Sequence, residues 1–487
     1  MKSFASIILT LILFSNLCQA QSFSADDYEI GFKYFKTTDN SRSYFNGQDT
    51  VDRPMLIHFW YPGKNDSGLN NMSFKEYIGL IAVREDFKKE QQEIDNFSEG
   101  FVNAYLGFSQ RKFGIDTSIT KEDVLNSPVN AINNVNPIND KFPLIIYAPS
   151  NSKSSVQNHI ICEYLASSGY YVISVGSAGS KSLKRNDEIK ATLAQVNDID
   201  FLVKFIRDSL RIEYSDIGLL GYSSGGMATV LFQMKNPKVK AIVSLDGSHE
   251  YSSYFNLWKI DDFDIDKSNT PYLMFANNYK DFSIYPYYNS ISSTDKYLYK
   301  MSFLDHNGFI SYWKQFDLCS KEKKINKVTE SYDTLCKHVK SFFDVTIKTN
   351  KLNYKDFEIS NSQLIQKDSV DYSIISNLLN SILENGIANS ISEVRSNKTL
   401  YEDKNDILNT LGRMFIGFDQ QIAIKIFMVN SEIHPNSWES FYHLAYLYKD
   451  SKDIDSALIS IKKAKDINKE NSDIQTLYDE IIQMNSE

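Results

Sequence analysis

The sequence predicts an α/β protein: a mostly parallel sheet with helices on both faces, joined to an all-α C-terminal unit. Three observations carry this. Between Pro143 and Ile347, short apolar runs of strand length alternate with longer segments of helical spacing, the pattern of parallel strands buried on both faces. One of those runs breaks at Gly221-Tyr222-Ser223-Ser224-Gly225-Gly226 and resumes as a helix of small residues that ends near Pro237. Past about Lys348 the strand signals stop, and helical spacing dominates to the end.

The 487 residues leave room for two or three domains and at least one large core. Residues 1–20 read as a signal peptide. Lys2 supplies the positive start, Phe4 to Leu17 the apolar stretch, and Cys18-Gln19-Ala20 a small-x-small cleavage site. That stretch is short of the about 20 residues that a bilayer span needs, and no later segment qualifies. The mature chain is therefore expected to be exported, periplasmic or secreted, with no transmembrane segment.

A first domain is expected over 21–348. It opens with strands at Tyr28 to Phe35 and Pro54 to Tyr61. Residues 64–142 are a polar insertion with helical patterning around Phe74 to Leu80 and Phe97 to Phe108, of a length that suits a lid. Further strands are expected at Pro143 to Ala148, Tyr170 to Val175, Tyr214 to Leu220, Val239 to Leu245, Pro271 to Ala276 and Tyr297 to Phe303. Helices fall at Val156 to Ser168, at Glu188 to Leu210, after Ser223, and at Leu335 to Ile347. Residues 349–404 read as a helical linker. In 405–487 the pairs Ala423 and Ala457, Phe427 and Ile461, and Ile433 and Ile467 recur at a spacing of 34, which fits tetratricopeptide-like helix pairs closed by a capping helix at Asn471 to Gln483.

Composition removes several function classes. The net charge is −9, and no basic run carries interleaved aromatics, so nucleic acid is not an expected partner. The seven histidines are scattered, without H-E-x-x-H or C-x-x-C, and no metal or cofactor is expected. Asp262-Phe263-Asp264-Ile265-Asp266 has alternating acids, but Lys267 and Leu273 stand where a calcium loop needs Gly and Glu. Of the cysteines, Cys162 reads as a buried hydrophobe, while spacing leaves pairing of Cys319 with Cys336 open.

The glycine-flanked Ser223 has the form of a nucleophile elbow, a tight strand-to-helix turn that lifts one hydroxyl above the sheet edge. A serine hydroxyl needs a base, and the base needs an orienting carboxylate. His306 follows the last expected strand and starts a loop, where such sheets build their sites. His249 reads as a surface-turn residue, and His338 lies within a helix. Asp246 ends the strand after the elbow helix, and Asp281 follows the next strand. The strand-end position favours Asp246. The oxyanion needs two N–H donors, expected from Ser224 at the start of the elbow helix and from Asn151 in the loop Pro149-Ser150-Asn151-Ser152.

With these stretches placed, the chain resembles the serine hydrolases related to platelet-activating-factor acetylhydrolase and dienelactone hydrolase, over roughly residues 28–346. The matching stretches are Pro143 to Tyr147, Leu165 to Val172, Gly221 to Gly226, Leu245-Asp246 and His306-Asn307. The resemblance implies an α/β-hydrolase fold with the acid at Asp246, and metal-free ester hydrolysis through an acyl-enzyme on Ser223. The oxyanion loop of that group usually carries His-Gly, where this chain has Pro149-Ser150. The tail, Leu408 to Gly412 through Pro435 to Trp438, resembles the tetratricopeptide-like appendage of secreted bacterial esterases. That appendage implies a bacterial exported hydrolase, the hydrolase resemblance implies a small-molecule or lipid ester substrate, and the tail itself suggests a protein contact through the C-terminal repeats. Two other readings share the motif: a serine peptidase or amidase, and a partner-binding protein with a vestigial site.

Overall fold

The computed structural model describes residues 28–183, 187–277, 284–321, 326–349, 363–367 and 373–486. The expected signal peptide and Asp281 lie outside the described residues. The strands are β1 (Glu29–Phe45), β2 (Thr50–Lys64), β3 (Ala131–Asn133), β4 (Asn136–Pro137), β5 (Leu144–Ala148), β6 (Tyr171–Val175), β7 (Ile217–Tyr222), β8 (Val239–Leu245), β9 (Tyr272–Asn277), β10 (Lys296–Met301) and β11 (Ile365–Lys367). They form one sheet in the order β11-β10-β9-β8-β7-β5-β6-β2-β1-β3, with β4 paired to β2. From β10 to β6 every pairing is parallel. The pairings β6–β2, β2–β1 and β10–β11 are antiparallel.

The apolar runs are continuous because the central strands are covered on both sides. In β5, Leu144, Ile146 and Ala148 point into one core and Ile145 and Tyr147 into the other, the period of two expected of a strand. The first core is shared with helices Glu188–Phe205 and Ser224–Lys235, the second with His159–Ser167 and Lys327–Phe343.

The insertion holds helices Phe74–Ala82, Gln91–Phe113 and Lys121–Leu125. It is not all helical: it ends in β3, which pairs parallel to β1, and in β4. Nor is the stretch expected as a helical linker purely helical. Within it, Ile365–Lys367 form β11 against the edge of β10. A three-residue strand shows no alternation in sequence, and it exists because β10 offers an open row of backbone groups. Cys162, Cys319 and Cys336 are buried, and none of them is joined in a disulfide.

Helices Ser373–Asn385 and Ile387–Ser396 lead into Asn405–Ile416, Gln420–Ile433, Trp438–Asp450, Ile454–Ile467 and Ser472–Ser486. Ala423 and Ala457 are fully buried, as are Phe427 and Ile461. The third pair diverges: Ile433 is buried, while Ile467 is 38% exposed. This helical unit is seated on the sheet unit through Phe255, whose ring centroid lies 4.5 Å from Phe415 and 4.7 Å from Phe418. The Ser290 hydroxyl also donates to Asn380 Oδ1 at 3.1 Å.

Candidate active site

Ser223 joins β7 to the helix Ser224–Lys235 at φ 54°, ψ −124°. A non-glycine residue in that region costs on the order of 1–3 kcal/mol and persists only where its surroundings force it. Here they do. A β-carbon on Gly225 would lie 2.1 Å from the Ala148 carbonyl oxygen, and one on Gly221 would lie 2.7 Å from Gly226 Cα. The two glycines let the helix start press against β5 and β7, and Ser223 absorbs the bend. Its amide donates to the Leu245 carbonyl at 3.1 Å, and its carbonyl accepts from Gly226 and Ser248, each at 3.0 Å.

The structure brings Ser223, His306 and Asp246 into one hydrogen-bonded line. Ser223 Oγ lies 3.0 Å from His306 Nε2, and His306 Nδ1 lies 2.5 Å from Asp246 Oδ2. His306 opens the short turn His306–Phe309 after β10, and its side chain is 45% exposed. Its ring is stacked on Tyr222 at 5.3 Å, and the Tyr222 hydroxyl donates to the His306 carbonyl at 2.8 Å. Trp313 Nε1 donates to the Asn307 carbonyl at 2.6 Å, which fixes the far side of the turn.

Asp246 sits one residue past β8, also at positive φ (48°), and is 1% exposed. Burial pushes its pKa up, but hydrogen bonds from His306, Tyr251 and Asn277, with the His306 charge, outweigh this and hold it below the ordinary carboxylate value. The Tyr251 hydroxyl donates to Oδ1 at 2.6 Å, and the Asn277 amide N–H to the same oxygen at 3.1 Å. The Asn277 side chain reaches both oxygens, at 3.2 and 3.1 Å. An ionised, fully bonded carboxylate of this kind fixes the tautomer of the imidazole beside it.

The other flank differs from expectation in its resting geometry. The Asn151 amide N–H donates to Ser224 Oγ at 2.6 Å, so a hydroxyl rather than open space faces it. The loop is anchored by Gln195 Nε2 on the Pro149 carbonyl at 2.8 Å and by the Ser152 hydroxyl on the Leu183 carbonyl at 2.7 Å.

His249 is not a surface residue. It is fully buried under the elbow, where its ring meets Gly226 and Gly247, and its Nε2 lies 2.7 Å from the Tyr272 hydroxyl. Burial lowers its pKa to about 3, so it is neutral. The sequence reading missed the burial because residues on both sides of His249 are polar. His338 bonds its own helix at Thr334. Sequence reasoning also missed Tyr251 and Asn277. Asn277 lies 31 residues from Asp246, and no motif spans that gap; a polar residue ending the apolar strand β9 was the available signal.

The strand order, the strained serine between strand and helix, and the helices on both faces define an α/β-hydrolase fold. No family model and no curated protein matches the chain. Among solved structures, a ferulic acid esterase from Streptomyces cinnamoneus is similar at a TM-score of 0.47 and 16% identity, over 72% of this chain and 99% of that one. No helix among the described residues is long and apolar enough to cross a membrane.

Proposed function

We propose that the protein is a serine hydrolase of the acetylhydrolase and dienelactone hydrolase type that cleaves a carboxylic ester through an acyl-enzyme. One observation carries the reading: a strained, glycine-flanked Ser223 whose hydroxyl meets His306 Nε2, while the opposite ring nitrogen meets buried Asp246. Ser223 Oγ attacks the ester carbonyl as His306 takes its proton. The same proton then goes to the leaving alcohol, and water repeats the cycle on the acyl-serine. Asp246 orients the ring and stabilises its charged form. The oxyanion is received by the amides of Ser224 and Asn151, and the Ser224 hydroxyl that caps Asn151 at rest turns away when it arrives. We place this chemistry outside the cytoplasm, after loss of residues 1–20, on the character of that leader. We read the C-terminal hairpins as tetratricopeptide-like, on the shared burial of Ala423 with Ala457 and of Phe427 with Ile461.

The test is Ser223→Ala. It is expected to abolish hydrolysis of a short para-nitrophenyl ester and labelling by a fluorophosphonate probe, with an unchanged circular dichroism spectrum. Retained turnover would overturn the reading. Turnover of peptide amides in preference to esters would convert it to a peptidase.

A further inference from the structure

Helix Gln91–Phe113 runs beside the site and carries Phe97, Phe101, Tyr105, Phe108 and Lys112 along one face, at spacings of three and four. At one end Lys112 pairs with Asp305, the residue before His306. Further along, Tyr105 is stacked on Trp313 at 5.9 Å and meets Tyr312 edge-on at 5.5 Å. Trp313 in turn holds the Asn307 carbonyl, so this helix face is tied to the histidine turn by packing and by charge. It also reaches the opposite flank. The Tyr105 hydroxyl accepts from Lys153 Nζ at 3.5 Å, two residues beyond Asn151.

A second cation approaches the same loop. Arg84, half-buried in the turn before the helix, donates from one guanidinium nitrogen to the Ser152 carbonyl at 3.2 Å. Among the described residues neither Arg84 nor Lys153 forms an ion pair, and the nearby acids are engaged elsewhere. Glu85 accepts from the Tyr44 hydroxyl, Asp86 caps the Lys88 amide, and Asp305 holds Lys112. In a chain of net charge −9, this leaves, among the described residues, two cations outside any ion pair and a phenol hydroxyl against an aromatic wall, next to the proposed oxyanion loop. Cations backed by apolar rings are less screened than those in open water and bind anions by charge-assisted hydrogen bonds.

We propose that Arg84, Lys153 and the Tyr105 hydroxyl form an anion-binding subsite, and that the ester cleaved at Ser223 carries an anionic group, a carboxylate or a phosphate, lying against helix Gln91–Phe113. This rests on the hydrolase reading above. The subsite selects among esters and takes no part in bond making.

Matched esters test it. para-Nitrophenyl hexanoate is compared with the mono-para-nitrophenyl ester of adipic acid, which adds a terminal carboxylate on the acyl side. The butyrate ester of para-hydroxybenzamide is compared with that of para-hydroxybenzoate, which places the charge on the alcohol side. The same two alcohols with a phosphate substituent distinguish the two anions. The expected result is kcat/KM at least about tenfold higher for the charged member of one pair, with the preference fading as ionic strength rises toward 1 M. Lys153→Gln and Arg84→Lys each reduce that ratio by about fivefold, and Lys153→Glu inverts it. Lys153 is exposed, so its variants remain informative if a change at Arg84 disturbs the fold. Turnover of both pairs without preference, or a preference unmoved by Lys153→Glu, overturns the subsite and leaves the hydrolase standing. Absence of turnover together with absence of fluorophosphonate labelling overturns both.

Discussion

The two flanks of Ser223 are built differently. On the acid side, Asp246 is buried, accepts from Tyr251, Asn277 and His306, and is already in its working arrangement. On the oxyanion side, the Asn151 amide is engaged with the Ser224 hydroxyl, in a loop held from outside by Gln195 and Leu183. The proposed general base is thus preorganised, whereas the proposed oxyanion site is capped at rest. Disturbing the first should cost rate steeply, and disturbing the second should move it little, in the opposite direction.

The largest effect expected is at the acid. Asp246→Asn presents an amide to His306 Nδ1, favours the wrong tautomer and is expected to lower kcat by about ten-thousandfold with KM nearly unchanged, measured by steady-state ester hydrolysis. Tyr251→Phe removes one of the donors to Asp246 and should lower kcat by about tenfold. These donors hold the Asp246 pKa below its ordinary value. Its ionised form therefore stabilises the fold above the ordinary carboxylate range, and that contribution is lost as pH falls through the lowered folded value. Tyr251→Phe should accordingly narrow the difference in melting temperature between neutral and strongly acidic buffer.

On the other flank, Ser224→Ala uncaps Asn151 and is expected to raise kcat by about threefold, since the oxyanion no longer displaces a hydrogen bond. A loss of tenfold or more would mean that the hydroxyl itself is a donor. A last variant acts on stability rather than rate. Glu250 is buried beneath the acid flank and accepts from the Tyr272 hydroxyl and the Tyr288 amide. Burial raises its pKa to about 7. A carboxyl raised in the folded state favours folding while protonated and loses that advantage as pH rises from its unfolded value through about 7. Between about pH 5 and pH 8, Glu250→Gln should gain roughly 2 kcal/mol relative to the parent in denaturant unfolding.

The fold was legible because the burial that makes β5, β7 and β8 also makes continuous apolar runs in the sequence. Their borders shifted by a few residues: the expected strand Tyr214 to Leu220 begins only at Ile217 and carries on through Tyr222. For the candidate site, the identities and chain order of Ser223, Asp246 and His306 could be read, because Ser223 and Asp246 directly follow strands and His306 opens the turn after β10. What surrounds them could not. Tyr251, Asn277, Tyr222 and Trp313 act through contacts that exist only after the strands are laid side by side. The same holds for His249, whose neighbours Glu250 and Tyr251 look like surface residues until their partners are folded over them.

β11 has a consequence for how the protein is made. Its three residues arrive more than sixty positions after β10, the strand they cover. During synthesis the rest of the sheet can assemble while Tyr299, Lys300 and Met301 still present unpaired backbone groups. That edge is one to which another nascent chain can add. Ile365–Lys367 therefore do more than connect: once they have emerged from the ribosome, the open edge of β10 can be covered from within the same chain.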